Sequence, residues 1–517
     1  MIREIFDSLT IEITEENQIS NVTTKVENAY PTEFTVYLPE NLDLNKLLEE
    51  NPPTSISLSN DEHIKDNIAY LLHLIIYLPT VKKDYDYEAN DGYVPINKKK
   101  LQSTGIHNYN EYITYLENCN VIHVGTRYIV GEQSRGIKFT NIYAFSKVIT
   151  YRIKKKTLIK AIFKNKQAFI DLAQREYPYL NKWWDLNKIN IDYASAKTYL
   201  DEKLEQDQQT FFEKHQMTEE EYFQEQMNRR RRKKNKVKYP TYQYNSALML
   251  IHRLHEKEYF MKIDKTAGRY HTIFTQLPKE LKLFIKYDGN QLIGVDLTNS
   301  QPLLATALLD KEIFVSNPIL METIIRFNPF YQEQQQPTML VKLIEENQNK
   351  PDVLNYKRIV ENGQFYEQFG ELLRQNGLIS GDITDAQEIR KLAKTTTFTS
   401  FYASNFDFKR IKAIKYFHDT FPNVYNIFSA IKYPKKGTQK KDKVHKALSV
   451  SLQALEAELF LKKICQRIDV SYPNIPIFTI HDSIVTTVGN QELVKQFIEE
   501  AIFETLQVEP ILKIEPW

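Results

Sequence analysis

The sequence predicts a mixed α+β protein of about two to four domains, since 517 residues give ample length for more than one core. Three observations carry this. Ile475 to Val488 reads IPIFTIHDSIVTTV, two apolar runs around the polar knot His481-Asp482-Ser483, which is the pattern of a hairpin. Leu292 to Val295 is a second short apolar run, and it also ends on an acid, Asp296. Long amphipathic helices fill much of the remainder, among them Asp66–Tyr77, Ile389–Tyr402 and Val444–Lys462.

Bulk properties exclude several classes. The formal net charge is only +2, so no global basic field marks a nucleic-acid binder. The charge is patterned instead: Arg229 to Lys238 reads RRRRKKNKVK, and seven lysines fall between Lys432 and Lys446. Such runs are solvated linkers or lie along a phosphate backbone. Cys119 and Cys465 give neither metal spacing nor a disulfide framework, which fits a reducing cytoplasm. The N-terminus lacks a signal-peptide pattern and no apolar run approaches a membrane span, so a cytoplasmic protein with no membrane partner is expected.

Taken in order, residues 1 to about 60 read as short strands and loops. After the Asp66–Tyr77 helix, Val94-Pro95-Ile96-Asn97 opens a short basic helix, and Asn108 is placed to cap a third. In that third helix Tyr109, Tyr112, Ile113 and Leu116 share one face, leaving Asn110, Glu111, Thr114 and Tyr115 on the other. Val121–Val124, Tyr128–Val130 and Ile137–Phe139 read as strands of a wing carrying Arg127, Arg135 and Lys138. Three helices and a wing resemble a winged helix-turn-helix over about residues 61–147, with duplex DNA or another protein as its partner. Residues 151–240 read as a charged helical connector anchored by Trp183-Trp184, with a boundary at Pro240. The third unit is 241–517.

The chemistry sits in that third unit. Two strand-borne aspartates, Asp296 and Asp482, would meet side by side and hold two Mg²⁺ ions, with Mn²⁺ as the substitute, for phosphoryl transfer. Between them Arg390, Lys394, Phe398 and Tyr402 recur every fourth residue and line one helical stripe. Two cations followed by two aromatics suit a nucleoside triphosphate, cations on phosphates and aromatics on sugar and base. Spacing alone equally describes an amphipathic helix with two core aromatics.

The three pieces in this order resemble motifs A, B and C of family-A DNA polymerases and the related single-subunit RNA polymerases, from roughly Phe260 onward. The resemblance implies a right-hand polymerase fold, an antiparallel palm sheet (about 262–310 and 446–517) with helical fingers (about 311–445) and thumb. It also implies primed template and nucleoside triphosphates as partners, Leu297 and Gln301 near the nucleotide, and His481 bracing the turn near the primer end. Thr266-Ala267-Gly268-Arg269 resembles the family's T-x-G-R element, whose arginine touches the minor groove. Gln453 matches a template-reading glutamine, and His445 stands where the family often has arginine.

Departures from the family matter as well. Motif A lacks its glutamate: Gln301 stands there, followed by the rigid Pro302. The lost charge implies a leakier choice between deoxy- and ribonucleotides, and Gln301→Glu is expected to sharpen it. Tyr402 is followed by Ala403 rather than glycine, and His-Asp-Ser replaces His-Asp-Glu. No exonuclease acids are found. The reading is a DNA polymerase without proofreading, whose organisation suggests a phage or mobile element. The alternatives are a single-subunit RNA polymerase or primase-like enzyme, or a DNA-binding initiator with an inactive palm.

Overall fold

In a computed structural model, the residues described are 30–59, 61–81, 92–125, 136–216, 218, 221, 239–333, 335–377, 379, 383–433 and 443–517. The chain opens with β1 (Phe34–Pro39). A small module follows in the order α1 (Ile64–Val81), β2 (Val94–Pro95), α2 (Lys98–Ser103), α3 (Tyr109–Asn118), β3 (Ile122–Val124) and β4 (Gly136–Phe139). Its strands form a sheet in the order β2-β4-β3. Strand β5 (Val148–Ile153) then returns antiparallel to β1, Phe34 opposite Ile153. Buried Asp66 in the first turn of α1 accepts the Lys154 and Lys155 N–H groups at 2.7 Å each, clasping the exit of the module to its longest helix.

The third helix corrects the expectation of an open recognition face. Tyr112 and Leu116 are buried as expected, but so is Tyr115, whose hydroxyl donates to the Asn51 carbonyl at 2.8 Å. Glu111 accepts from the Ser55 and Ser57 hydroxyls. Residues 51–57 thus cover part of that face, while Asn110 and Thr114 stay exposed. Lys138 lies on β4 with its ammonium 4.5 Å from the Tyr93 ring centre. Arg127, Arg135 and the strand Tyr128–Val130 lie outside the described residues, as does the Arg229–Lys238 cluster.

The connector departs from expectation too. It contains α4 (Lys156–Glu176), β6 (Ile189–Ile191) and α5 (Tyr193–His215), and β6 joins the main sheet by pairing with β9 (Ile285–Tyr287). Trp183, Trp184, Leu200 and Leu204 bury into the same hydrophobic core as α6 (Pro240–His255) and the strands beyond it. Charge on the outer faces hid this apolar inner face from a compositional reading.

The main sheet has the order β11-β12-β10-β9-β6, with β13 (Leu512–Pro516) on the other edge of β10. Strand β10 (Asn290–Leu297) is its axis. It is joined to β9 by a two-residue turn, Asp288-Gly289, both at positive φ, the geometry that matches strand twist. Strands β11 (Phe478–Ile480) and β12 (Ser483–Thr487) form the expected hairpin, and β12 pairs antiparallel with β10. Ahead of the sheet, β7 (Met261–Ile263) and β8 (Tyr270–Thr272) form a second hairpin. Helices occupy most of residues 300–471, and one further helix spans Gln491–Leu506.

Candidate active site

Antiparallel pairing brings the two aspartates together. Asp296 lies directly opposite Ser483, and the Leu297 N–H donates to the Asp482 carbonyl at 3.1 Å. Asp482 sits in the two-residue turn between β11 and β12, where His481 adopts φ +57° and so lets the chain reverse. The His481 ring meets the edge of His271 from β8, centres 5.7 Å apart. Leu297, expected at the nucleotide, is instead 2 % exposed within the core. Its contribution to the site is through the main chain.

Asp296 is exposed as a residue, yet protein crowds its carboxyl. Burial, then the Asp482 and Glu515 carboxylates, push its pKa up to about 7, against the opposing pull of Lys282 and Lys394. Burial in turn lowers the Lys282 amine. Glu515 is itself paired with Lys279 and Lys513, and the two neighbouring carboxylates form a hard-oxygen donor set of the kind a divalent cation takes. Among the described residues no group of three or more His, Cys, Asp or Glu side chains is arranged to hold a metal.

The stripe is on a helix as expected. Helix α7 (Ser300–Ala305) follows β10; later come α8 (Phe365–Gln375) and α9 (Ala386–Tyr402), which starts on an Asp385 cap accepting from Gln387 and Glu388 N–H groups. Ala393, Thr397, Ser400 and Phe401 face the core, leaving Arg390, Lys394, Phe398 and Tyr402 on the accessible side. Helices α8 and α9 approach closely because Gly370 has no side chain: a Cβ there would stand 2.7 Å from Ile389 Cγ2. Arg390 Nε donates to Glu367 of α8 at 2.6 Å, and its guanidinium lies 5.3 Å from the Tyr366 ring centre. Lys394 lies 5.9 Å from the Tyr366 ring and 5.7 Å from that of Phe398. Phe398 and Tyr402 stack at 5.4 Å with a 14° tilt.

At its C-terminal end α9 is held by Lys432, 2 % exposed, which donates to the Ser400 and Ala403 carbonyls at 2.8 and 3.2 Å. Burial pushes this amine down to about 7. The first residue of the lysine run is therefore a buried brace rather than a solvated charge.

The largest surprise is a third carboxyl. Helix α10 (Lys446–Ala457) carries Gln453, half-buried, and starts just after His445. On the same helix Glu456 is 2 % exposed. Its Oε2 accepts from Arg269 Nη2 and from Gln301 Nε2, both at 2.8 Å. Gln301 Oε1 in turn accepts the Tyr402 hydroxyl at 3.2 Å. Burial pushes the Glu456 carboxyl up to about 7, while the Arg269 charge acts to lower it. Arg269, expected to touch nucleic acid, is thus turned inward. Pro302 does not divert Gln301; it lies in the first turn of α7, where its missing N–H costs no helical bond. The signal for Glu456 in the sequence was an acid three residues after Gln453 in an otherwise apolar helix, hence on the same side.

Asp264 holds the turn before Arg269. Its carboxylate is half-buried, which acts to raise its pKa, but bonds from His271 and the Ala267 and Thr266 N–H groups bring it down to about 2. Asn299, itself at φ +54°, donates to the Gly363 carbonyl at 2.6 Å and ties the end of β10 to the approach to α8.

No protein-family model matches the chain, and no curated protein matches it. Among solved structures it is similar to the POL domain of Pol1 from M. smegmatis in complex with DNA primer-template and dNTP. The identity is 12 % and the TM-score 0.32, over 69 % of this chain and 72 % of that one. No helix among the described residues is long and apolar enough to cross a membrane.

Proposed function

We propose that the chain is a template-directed nucleotidyltransferase, a DNA polymerase without a proofreading unit, acting on a primed template with nucleoside triphosphates. The observation that carries this is the meeting of Asp296, on β10, with Asp482, in the turn that leads into the neighbouring strand, with Lys394 near enough to lower the Asp296 pKa. An acid pair beside a cation-and-aromatic stripe suits a triphosphate whose charge must be both held and released.

In this reading Asp296 and Asp482 hold Mg²⁺, which when bound supplies Lewis-acid polarisation of phosphoryl oxygens. Lys394 takes negative charge as it develops on the departing phosphates. Arg390 does the same once it exchanges Glu367 for phosphate. Phe398 and Tyr402 offer flat faces to the sugar and base. The primer 3′-oxygen forms the new bond to the α-phosphorus, the α–β bridging bond breaks, and pyrophosphate leaves. The sheet around β10 is the palm of such an enzyme, and α8 and α9 belong to its fingers. The helix–strand–helix–helix–strand–strand order of residues 64–139, with strand order β2-β4-β3, supports a winged-helix reading of that module. Lys138 is its described cation for a duplex.

The test offers purified full-length protein primed DNA and primed RNA, with Mg²⁺ and either dNTPs or NTPs. Template-dependent extension with dNTPs is expected. No incorporation on any combination overturns the proposal, and a strong preference for NTPs replaces it with an RNA polymerase.

A further inference from the structure

We propose that Glu456 is a specificity-determining positioning residue, which holds the Gln301 amide in one orientation and thereby fixes how the Tyr402 hydroxyl faces the nucleotide sugar. The inference rests on the nucleotidyltransferase reading and adds to it a residue that none of the sequence motifs contains.

The argument starts from donors and acceptors. An amide has one accepting end and one donating end, and either can face a hydroxyl. Glu456 Oε2 also receives the Arg269 guanidinium, so it acts as an acceptor whether or not a proton sits on Oε1. It therefore demands the NH₂ end of Gln301. The Gln301 carbonyl oxygen is left to Tyr402, which must spend its only proton on that bond. Gln301 and Glu456 are both buried, so water does not readily substitute for either partner. Among the described residues Glu456 Oε1 and Arg269 Nε have no hydrogen-bond partner, so the bonds of the Glu456 carboxyl run to Arg269 and Gln301 through Oε2.

Order along the helix places the sugar. Lys394 lies near Asp296, so the phosphates belong at that level of α9. Phe398 and Tyr402 come next, and in a nucleotide the sugar adjoins the phosphates. Tyr402, bonded to Gln301, also feels the charges of Arg269, Glu456 and Asp482, so it is in reach of both the Glu456 network and the acid pair. A Tyr402 hydroxyl committed to Gln301 has no proton to give a ribose 2′-hydroxyl and cannot swing away to make room. Released, it can do both.

The same geometry reverses the expectation for Gln301→Glu. A carboxylate at that position would stand against the Glu456 carboxylate, 2.8 Å from it, in a buried site. Acid and amide are complementary only as a pair, in either order.

The experiment compares single-nucleotide incorporation of dATP and ATP, and melting temperature, for wild type, E456L, Q301E and the double variant Q301E/E456Q. E456L, which keeps the bulk but offers Gln301 no acceptor, is expected to shrink the dATP-over-ATP ratio of kcat/KM by roughly tenfold, the low end for a lost charge-assisted bond. The change should come through a gain with ATP rather than a loss with dATP, which mere structural damage would not give. Q301E is expected to lower incorporation of both nucleotides and the melting temperature, and the double variant to recover both. An unchanged ratio in E456L, an equal loss with both nucleotides, or a double variant no better than Q301E overturns the assignment. If wild type incorporates nothing, the nucleotidyltransferase reading falls and the assignment with it. The melting-temperature cycle needs no activity and separately reports whether the acid–amide pair exists.

Discussion

Two groups of acids lie near one another in this molecule and are treated in opposite ways. Asp296 and Asp482 stand side by side, and burial and mutual repulsion bring Asp296 up to about 7. Glu456 is more deeply buried, yet it is met by Arg269 and by the Gln301 amide. The open pair is built to be completed by something from outside, whereas the closed one is completed within the chain. Burial alone does not distinguish a working acid from a structural one; the partners do.

The most damaging way to break this contrast is to neutralise the open pair. Asp296→Asn or Asp482→Asn should lower incorporation by about a thousandfold or more while the fold survives, since each removes a charge from a shared cation site and keeps the size. Gel extension with a circular-dichroism melt checks both halves, and near-normal extension by either variant refutes the site. Next comes the stripe. Lys394→Ala should cost roughly a hundredfold in kcat/KM for the triphosphate. Arg390→Ala should cost less, about tenfold, because part of its interaction is already spent on Glu367. Equal, negligible effects of both would make α9 a packing helix only.

A smaller effect concerns stability against pH, measured in chelator. Asp296 is a carboxyl whose folded pKa is raised from 3.8 to about 7. Between those values the folded chain keeps a proton that the unfolded chain has lost, so stability should fall as pH rises from about 4 to about 7. Asp296→Asn should flatten that fall and raise the melting temperature at pH 8, by an amount worth on the order of 1 kcal/mol after screening of an open carboxylate. A variant with the wild-type pH slope would mean that the crowding is relieved in solution. The smallest effect belongs to the N-terminal module, where one cation is at stake. Lys138→Glu should weaken duplex DNA binding a few-fold and lower the salt slope by about one. Unchanged affinity and slope would assign the module to a protein partner.

How far the sequence could be read varied with how local the signal was. The hairpin around Asp482, the strand ending at Asp296 and the helix carrying Arg390 to Tyr402 were all visible, because alternation and fourfold spacing are properties of a few neighbouring residues. Helices α1 to α3 stood where apolar spacing put them, although Asn108 precedes α3 without a side-chain capping bond. Legibility failed where a residue serves two elements. Leu297 read as a site residue from its place beside Asp296, but the sheet needed its side chain in the core. Tyr115 and Glu111 read as an open face until residues 51–57 lay across them.

By itself, then, the sequence determined which residues could act: two strand-borne aspartates, a stripe of cations and aromatics, and a glutamine where the resemblance led one to look for glutamate. Only the tertiary structure decided what those residues face. Antiparallel register put Asp296 opposite Ser483, and so beside Asp482. The crossing of β7–β8, α7, α9 and α10 delivered Arg269, Gln301, Tyr402 and Glu456 to one buried network. The physical reason is range. Periodicity and turn chemistry act over a few residues, whereas a hydrogen bond or a charge pair is set by distances between parts of the chain that no local pattern records.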